Sequence, residues 1–417
     1  MTKDVIITAV GAGGDGIAKG SSGNIYVPFT LPGEKANVAT EGDKGTLIAL
    51  TSKSNERIEP TCVYFEDCGG CSLQHWNREN YEAWKRDLVV HALEARGLKT
   101  EVAPLISCEP QTRRRIVLTA KATPKGLVLG FNRYQSNEIV EIHECPVTVE
   151  AITSRFDDIH AIAAVLQDNA RSFHVTVTAA NNGLDIMISG VENIEDRHRQ
   201  RLTTLAIKLN IARIAIDDEI IIEVAKPLID FDGVEVILPP GGFLQATKEA
   251  EIAMTGIAVN WLKKTKNAVD LFSGSGTFTF PMAKKMNVKA VENTSAALQA
   301  LDRASRYATG LKTVAHEERD LFRRPLNTKE LVQFDGLVFD PPRAGAEEQA
   351  KEIANAIISR VVAVSCNPVT LARDLSILVK GGYKLEKVIP VDQFLWSPHV
   401  EAVALLSKRN PKPGWKL

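Results

Sequence analysis

From residue 237 onward, short apolar runs alternate with stretches whose apolar positions recur at helical spacing. The runs at 268–272, 288–292, 336–340, 360–365 and 400–407 read as buried strands, and 277–286, 294–308, 346–359 and 369–379 as the helices between them. Such alternation predicts a mostly parallel, doubly wound α/β sheet of Rossmann-like type, with ligands at the carboxyl ends of its strands. Between 113 and 237 the pattern turns strand-like, as in Ile116-Val117-Leu118, Leu127-Val128-Leu129, Val175-Thr176-Val177 and Leu184-Asp185-Ile186-Met187-Ile188, with helical segments near 148–168 and 192–208. This predicts an α+β unit, preceded by a helix over 78–96. Residues 1–52 are glycine-punctuated around Val5-Ile6-Ile7, Ile25-Tyr26-Val27 and Thr46-Leu47-Ile48, and Leu31-Pro32-Gly33-Glu34 reads as a turn. A small β-barrel is expected there. The predicted units are therefore 1–52, 53–236 and 237–417.

The 417 residues are 44% apolar and 24% charged, with a formal net charge of −1. These values suit a globular chain and exclude a uniformly basic surface, so nucleic-acid binding would need local patches. The first residues lack the apolar core of a signal peptide, and no 18-residue apolar stretch follows. A cytoplasmic protein with no membrane partner is expected.

Candidate chemistry falls at the strand ends. Ala268-Val269-Asp270-Leu271-Phe272 runs into Ser273-Gly274-Ser275-Gly276-Thr277, a glycine-rich turn in which the backbone can approach a ligand closely. The third glycine of the dinucleotide fingerprint is missing. The next strand ends at Glu292, placed to accept bonds from ribose hydroxyls. A nucleoside cofactor without a diphosphate fits, and S-adenosylmethionine is the candidate. Asp320, after the following strand region, is a candidate adenine contact. Asp340 ends another strand, in Asp340-Pro341-Pro342-Arg343. Amino-group methyltransferases usually carry an aromatic ring after the two prolines, so Arg343 disfavours adenine N6 chemistry.

Cys366 closes Val361-Val362-Ala363-Val364-Ser365 and is followed by Asn367-Pro368, a good N-cap and first helical residue. The helix dipole is expected to favour its thiolate. A thiolate adding to pyrimidine C6 makes C5 an enolate-like nucleophile, and a general base must later remove the C5 hydrogen. Glu401 is the candidate base, because an acid in Val400-Glu401-Ala402-Val403-Ala404-Leu405-Leu406 is expected to be partly buried with a raised pKa. Three of the six cysteines, Cys62, Cys68 and Cys71, lie within ten residues, a density that points to metal.

Together these residues resemble the RNA uracil-5 methyltransferase family. Val364-Ser365-Cys366-Asn367-Pro368-Val369-Thr370-Leu371-Ala372-Arg373-Asp374 is similar to its nucleophile motif, His399-Val400-Glu401 to its base motif, and Gly242-Phe243-Leu244-Gln245 to its glutamine segment. The resemblance implies a class I methyltransferase domain at 237–417. Gln245, Phe272, Glu292, Asp320 and Asp340 would line the S-adenosylmethionine pocket, with Asp340 also near the target base. Cys62 to His75 resembles the cluster motif of the ribosomal branch, and Cys145 its fourth ligand. That implies a 4Fe-4S cluster, with zinc as the alternative for the same thiolates. The cysteine spacing differs from that of radical S-adenosylmethionine enzymes, so a structural or RNA-positioning role is implied, and Cys108 is left over. Residues 1–52 resemble an RNA-binding TRAM barrel. Barrel plus cluster is the arrangement of enzymes acting on large-subunit ribosomal RNA. The expected activity is therefore 5-methyluridine formation in 23S ribosomal RNA by a monomer. The alternatives are the T-loop of transfer RNA, or a non-catalytic RNA-binding protein retaining the fold. Arg113-Arg114-Arg115, Lys121, Lys125 and Arg133, with Phe131 and Tyr134, are candidate RNA contacts. Two departures from the family stand out: Ser273 replaces a frequent cysteine, and Leu395-Trp396-Ser397 replaces Pro-His-Thr.

Overall fold

The computed structural model describes residues 2–408 apart from 21, 22, 169, 170, 193 and 218, so 409–417 of the predicted last unit lie outside the described residues. The N-terminal strands close into a five-stranded barrel. Alternate residues point inward, as the twofold period of a strand requires, and Val5, Ile7, Ala18, Ile25, Val27, Ala36 and Val38 fill the interior. Glu34, fully buried, pairs with Arg57 at 2.6 Å and also accepts from the backbone N–H of Leu31, which ties the barrel to the segment after it.

A seven-stranded sheet follows, ordered Glu219–Glu223, Arg213–Ile216, Gly183–Ser189, Ser172–Ala180, Arg115–Thr123, Gly126–Asn132 and Ile139–Glu141. Helices Glu150–Thr153, Phe156–Ala164 and Asp196–Lys208 accompany it, so the segment predicted helical over 148–168 is two helices. The eight-stranded sheet runs Val314–Glu318, Asn287–Glu292, Asn267–Leu271, Gly336–Phe339, Arg360–Ser365, Glu401–Ser407, Lys384–Val391 and Glu101–Val102. The first five are parallel, and Glu401–Ser407 enters antiparallel.

Both faces of this sheet are covered, which explains its nearly continuous apolar strands. Val361 and Ala363 face the core that receives helices Arg78–Glu94, Glu347–Asn355 and Pro368–Lys380. Val362 and Val364 face the opposite core with Met254, Ala258 and Leu262 of helix Lys248–Leu262. That helix and strand Lys384–Val391 were not anticipated from the sequence. Nor was the position of Arg78–Glu94 and Glu101–Val102, which join the C-terminal sheet rather than the middle one.

Helix Arg78–Glu94 is held by a buried polar anchor. Lys85 is wholly buried and pairs with Asp392 at 2.7 Å. Tyr81 Oη donates to the other Asp392 oxygen at 2.8 Å, and Lys85 Nζ also donates to the carbonyl of Phe394. Burial pulls the Lys85 pKa down while Asp392 pulls it up. Removing one partner leaves the other charge buried and alone, which costs about 3–5 kcal/mol. Lys85→Met should therefore lower thermal stability strongly, whereas Lys85→Met with Asp392→Leu should recover much of the loss, as read from melting curves.

Candidate active site

Register places the site's groups. Ser365 pairs with Ala402 across the antiparallel strands, so Cys366 leaves its strand opposite Glu401. Phe339 pairs with both Leu271 and Ala363, which brings Asp340 between Phe272 and the end of the cysteine strand. Asn367 caps helix Pro368–Lys380 through its side chain, accepting from Val369 N–H at 3.1 Å, with Pro368 at the first position as predicted.

These strand ends open on a cavity of about 720 Å³ whose lining includes Gln245, Phe272, Gly274, Thr277, Glu292, Asp340, Cys366 and Glu401. Of the predicted site residues, Gly276 and Asp320 are not on its wall. Gly274 has φ +53 and open space where a Cβ would stand, as a ligand cradle requires. Gly276 serves packing instead, since a Cβ there would meet the Phe280 ring at 2.4 Å. Glu292 accepts from the backbone N–H groups of Gly274, Asn293 and Thr294, so it shapes the turn it faces. The Asp320 carboxylate accepts from the N–H groups of Phe322 and Arg323 in its own turn, beside the lining residues Arg319, Leu321 and Phe322.

A chain of amides joins the two buried acids. Gln245 Nε2 donates to Asp340 Oδ2 at 2.9 Å, and Gln393 Nε2 donates to Gln245 Oε1 at 2.8 Å and Glu401 Oε1 at 2.9 Å. Gln393 was missed in the sequence. Its only signal was a polar pair, Asp392-Gln393, after a strand end, with Asp392 at the position that Asp340 and Cys366 take on their own strands. Burial, then the neighbouring Asp340 charge, raises Glu401 to about 8, against the lowering effect of the Gln393 bond. Burial raises Asp340 to about 7. The expected raised pKa of Glu401 is thus present.

The expected thiolate at Cys366 is not. Burial, followed by Glu401 and Asp340, pushes its thiol up to about 11, with Arg343 pulling the other way. Burial and two neighbouring carboxyl groups outweigh the one arginine.

Within the arginine triplet, Arg114 needs correction as an RNA contact. Arg114, 8% exposed, pairs with buried Glu251 and donates to the carbonyl of Gln245. Arg113 lies over the Phe394 ring, and Arg115 donates to the carbonyl of Gly241. Arg114 is thus committed to an internal pair, whereas Arg113 and Arg115 line the cavity. Arg133 pairs with Asp67 and Glu138, and Tyr134 Oη donates to Asp15, whereas Lys121 and Lys125 are exposed.

Cys62, Cys68, Cys71 and Cys145 line a second cavity of about 330 Å³, which shares Arg113, Val117, Gln393 and Phe394 with the first. Burial raises Cys68 to about 11 and Cys71 to about 12, and the neighbouring cysteines add to both shifts. Among the described residues, no three His, Cys, Asp or Glu side chains are arranged to hold a metal ion. Cys108 is buried, with its thiol pushed up to about 12.

A parallel Rossmann-like sheet, a glycine turn and acids at successive strand ends define a methyltransferase of the S-adenosylmethionine-dependent fold. The profile of the tRNA (uracil-5-)-methyltransferase family matches residues 135–409, and the chain belongs to that family of RNA-modifying enzymes. It is 55% identical to an RNA methyltransferase of Brucella melitensis over 98% of each chain. It is 30% identical to the 23S rRNA (uracil(1939)-C(5))-methyltransferase of Photorhabdus laumondii, covering 95% of this chain and 94% of that one. The fold is that of the Pyrococcus abyssi tRNA (uracil-54, C5)-methyltransferase solved with S-adenosyl-L-homocysteine, with a TM-score of 0.75, 24% identity, and 97% and 99% of the two chains covered. No described helix is long and apolar enough to cross a membrane.

With a pKa near 11, the thiolate fraction of Cys366 should grow about tenfold per pH unit through pH 9. Iodoacetamide labelling of the RNA-free protein, followed by mass spectrometry of the peptide carrying Cys366, should rise with that slope. A plateau near pH 7 would show a thiol already ionised.

Proposed function

We propose that this enzyme methylates C5 of a uridine in 23S ribosomal RNA, with S-adenosylmethionine as methyl donor. The observation that carries the reading is the single cavity shared by Cys366, Glu401, Asp340 and the glycine turn. The ribosomal substrate is supported by the Photorhabdus relative. It is also supported by a closed barrel over residues of the proposed 1–52 RNA-binding unit, ahead of a 53–236 unit and a 237–417 methyltransferase unit.

The donor would lie against Gln245, Phe272, Gly274, Thr277, Glu292 and Asp340, with Asp320 and Gly276 supporting its turn, and it supplies an electrophilic methyl group. Burial and the two neighbouring carboxyl groups disfavour the Cys366 thiolate, and a second cation in the cavity beside Arg343 would offset them. The sulfonium charge of the donor has that sign. The Cys366 thiol would lose its proton to solvent as its sulfur bonds to uracil C6, and the electron pair released onto C5 would take the methyl as the donor's S–CH3 bond breaks, the donor leaving as a neutral thioether. Glu401 removes the C5 proton, the C6–S bond breaks, and the ring returns to aromaticity as the thiolate leaves. Asp340, tied through Gln245, positions the target base. The uridine must leave its stack to enter, so a looped or flipped base is required.

Cys366→Ala should abolish methylation while RNA binding survives. Glu401→Gln should stall after methyl transfer and accumulate a protein–RNA adduct stable to denaturing electrophoresis. Rapid product release from the second variant would reassign the base. Mass spectrometry of nucleosides from 23S ribosomal RNA and transfer RNA of cells lacking the protein identifies the substrate, and loss of 5-methyluridine from transfer RNA alone would overturn the ribosomal reading.

We also propose that Cys62, Cys68, Cys71 and Cys145 hold a 4Fe-4S cluster. Four soft donors around one cavity fit it chemically. Anaerobically purified protein should carry about four iron and four sulfide per chain. Cys145→Ser should lower both, and zinc without iron would overturn the assignment.

A further inference from the structure

Gln393 belongs to neither predicted motif, yet it touches both halves of the site. Its Oε1 accepts from the Ala246 backbone N–H at 2.7 Å, and a backbone N–H can only donate. That contact fixes which end of the amide is which. Nε2 must then face the two remaining oxygens, Gln245 Oε1 and Glu401 Oε1, and both of its hydrogens are used. The polarity passes on: with its oxygen turned to Gln393, Gln245 presents Nε2 to Asp340. One backbone N–H therefore orients two amides and aims a donor at each acid. Glu401 Oε1 is thereby reserved as an acceptor, while Oε2 is buried with no partner.

We infer that Gln393 is a positioning residue that fixes the Glu401 carboxylate and reserves its Oε2 atom to receive the C5 proton of the target uracil. The inference rests on the reading of Glu401 as the base. Without Gln393 the carboxylate rotates freely between its two oxygens and loses the donor that supports its charged form. The groups facing Glu401 are then the Asp340 carboxyl and the Cys366 thiol, with Arg343 the cation acting on that thiol.

The test uses the full-length enzyme with ribosomal RNA from cells lacking the protein, labelled with [5-³H]uridine. Tritium release reports C5 deprotonation, and denaturing electrophoresis reports the Cys366 adduct. Gln393→Met keeps the volume and removes the donors. Gln393→Glu keeps the acceptor for Ala246 and sets a carboxyl against Glu401, and it carries the test alone if the first variant does not fold. For either variant, tritium release should slow about tenfold or more. The adduct should still form and persist, and the alkaline-rising limb of the pH profile should move up by about one unit. A folded variant with parental release and an unmoved limb overturns the inference and leaves the role of Glu401 standing. Slowed release with an unmoved limb and no persisting adduct also overturns it, because a general packing defect would do the same. A parent enzyme that releases no tritium removes both the inference and the reading beneath it.

Discussion

If strand Arg360–Ser365 slipped by one residue against Glu401–Ser407, every side chain on it would turn to the opposite face. Cys366 would then no longer leave the sheet beside Glu401. Both faces of the sheet are packed, so the slip would also bury the wrong sets of residues in two cores at once. The catalytic geometry is therefore secured by the same apolar burial that stabilises the domain. Asp340 and Phe272 inherit their places from that register through the neighbouring parallel strands.

The cavity gathers buried acidic groups, and some of their shifts depend on one another. Asp340 helps to raise Glu401, and both raise Cys366. Asp270 sits deeper behind them, wholly buried and raised to about 7, with Thr279 Oγ1 donating to it at 2.6 Å. Such a site is expensive to charge while empty and ready to accept a cation, which is the electrostatic character a sulfonium donor calls for.

Much of this was legible in the chain. Apolar alternation gave the parallel strands, and Asn367-Pro368 marked the helix behind Cys366. The helix Lys248–Leu262 escaped because Ile252, Met254, Ile257 and Val259 surround its axis, leaving no polar face to set a stripe against. Strand Lys384–Val391 was hidden by Lys384, Glu386 and Lys387 among its apolar residues. Arg114 misled for another reason. Sequence shows charge but not partners, and Arg114 finds Glu251, far along the chain, inside the protein. The thiol shift at Cys366 was likewise hidden, since it depends on carboxylates brought close only by folding.

The loop bearing Gln393 is fastened from outside its own sheet. Ser72 and Leu73, beside Cys71, donate their N–H groups to the carbonyl of Trp396, and Tyr81 and Lys85 grip Asp392. Strand Glu101–Val102 meanwhile covers the border of Lys384–Val391. A fragment cut at residue 237 would thus lose the fasteners of the Gln393 loop and bare a pairing-competent strand. The C-terminal sheet and the amino-terminal segments that fasten it are one working object.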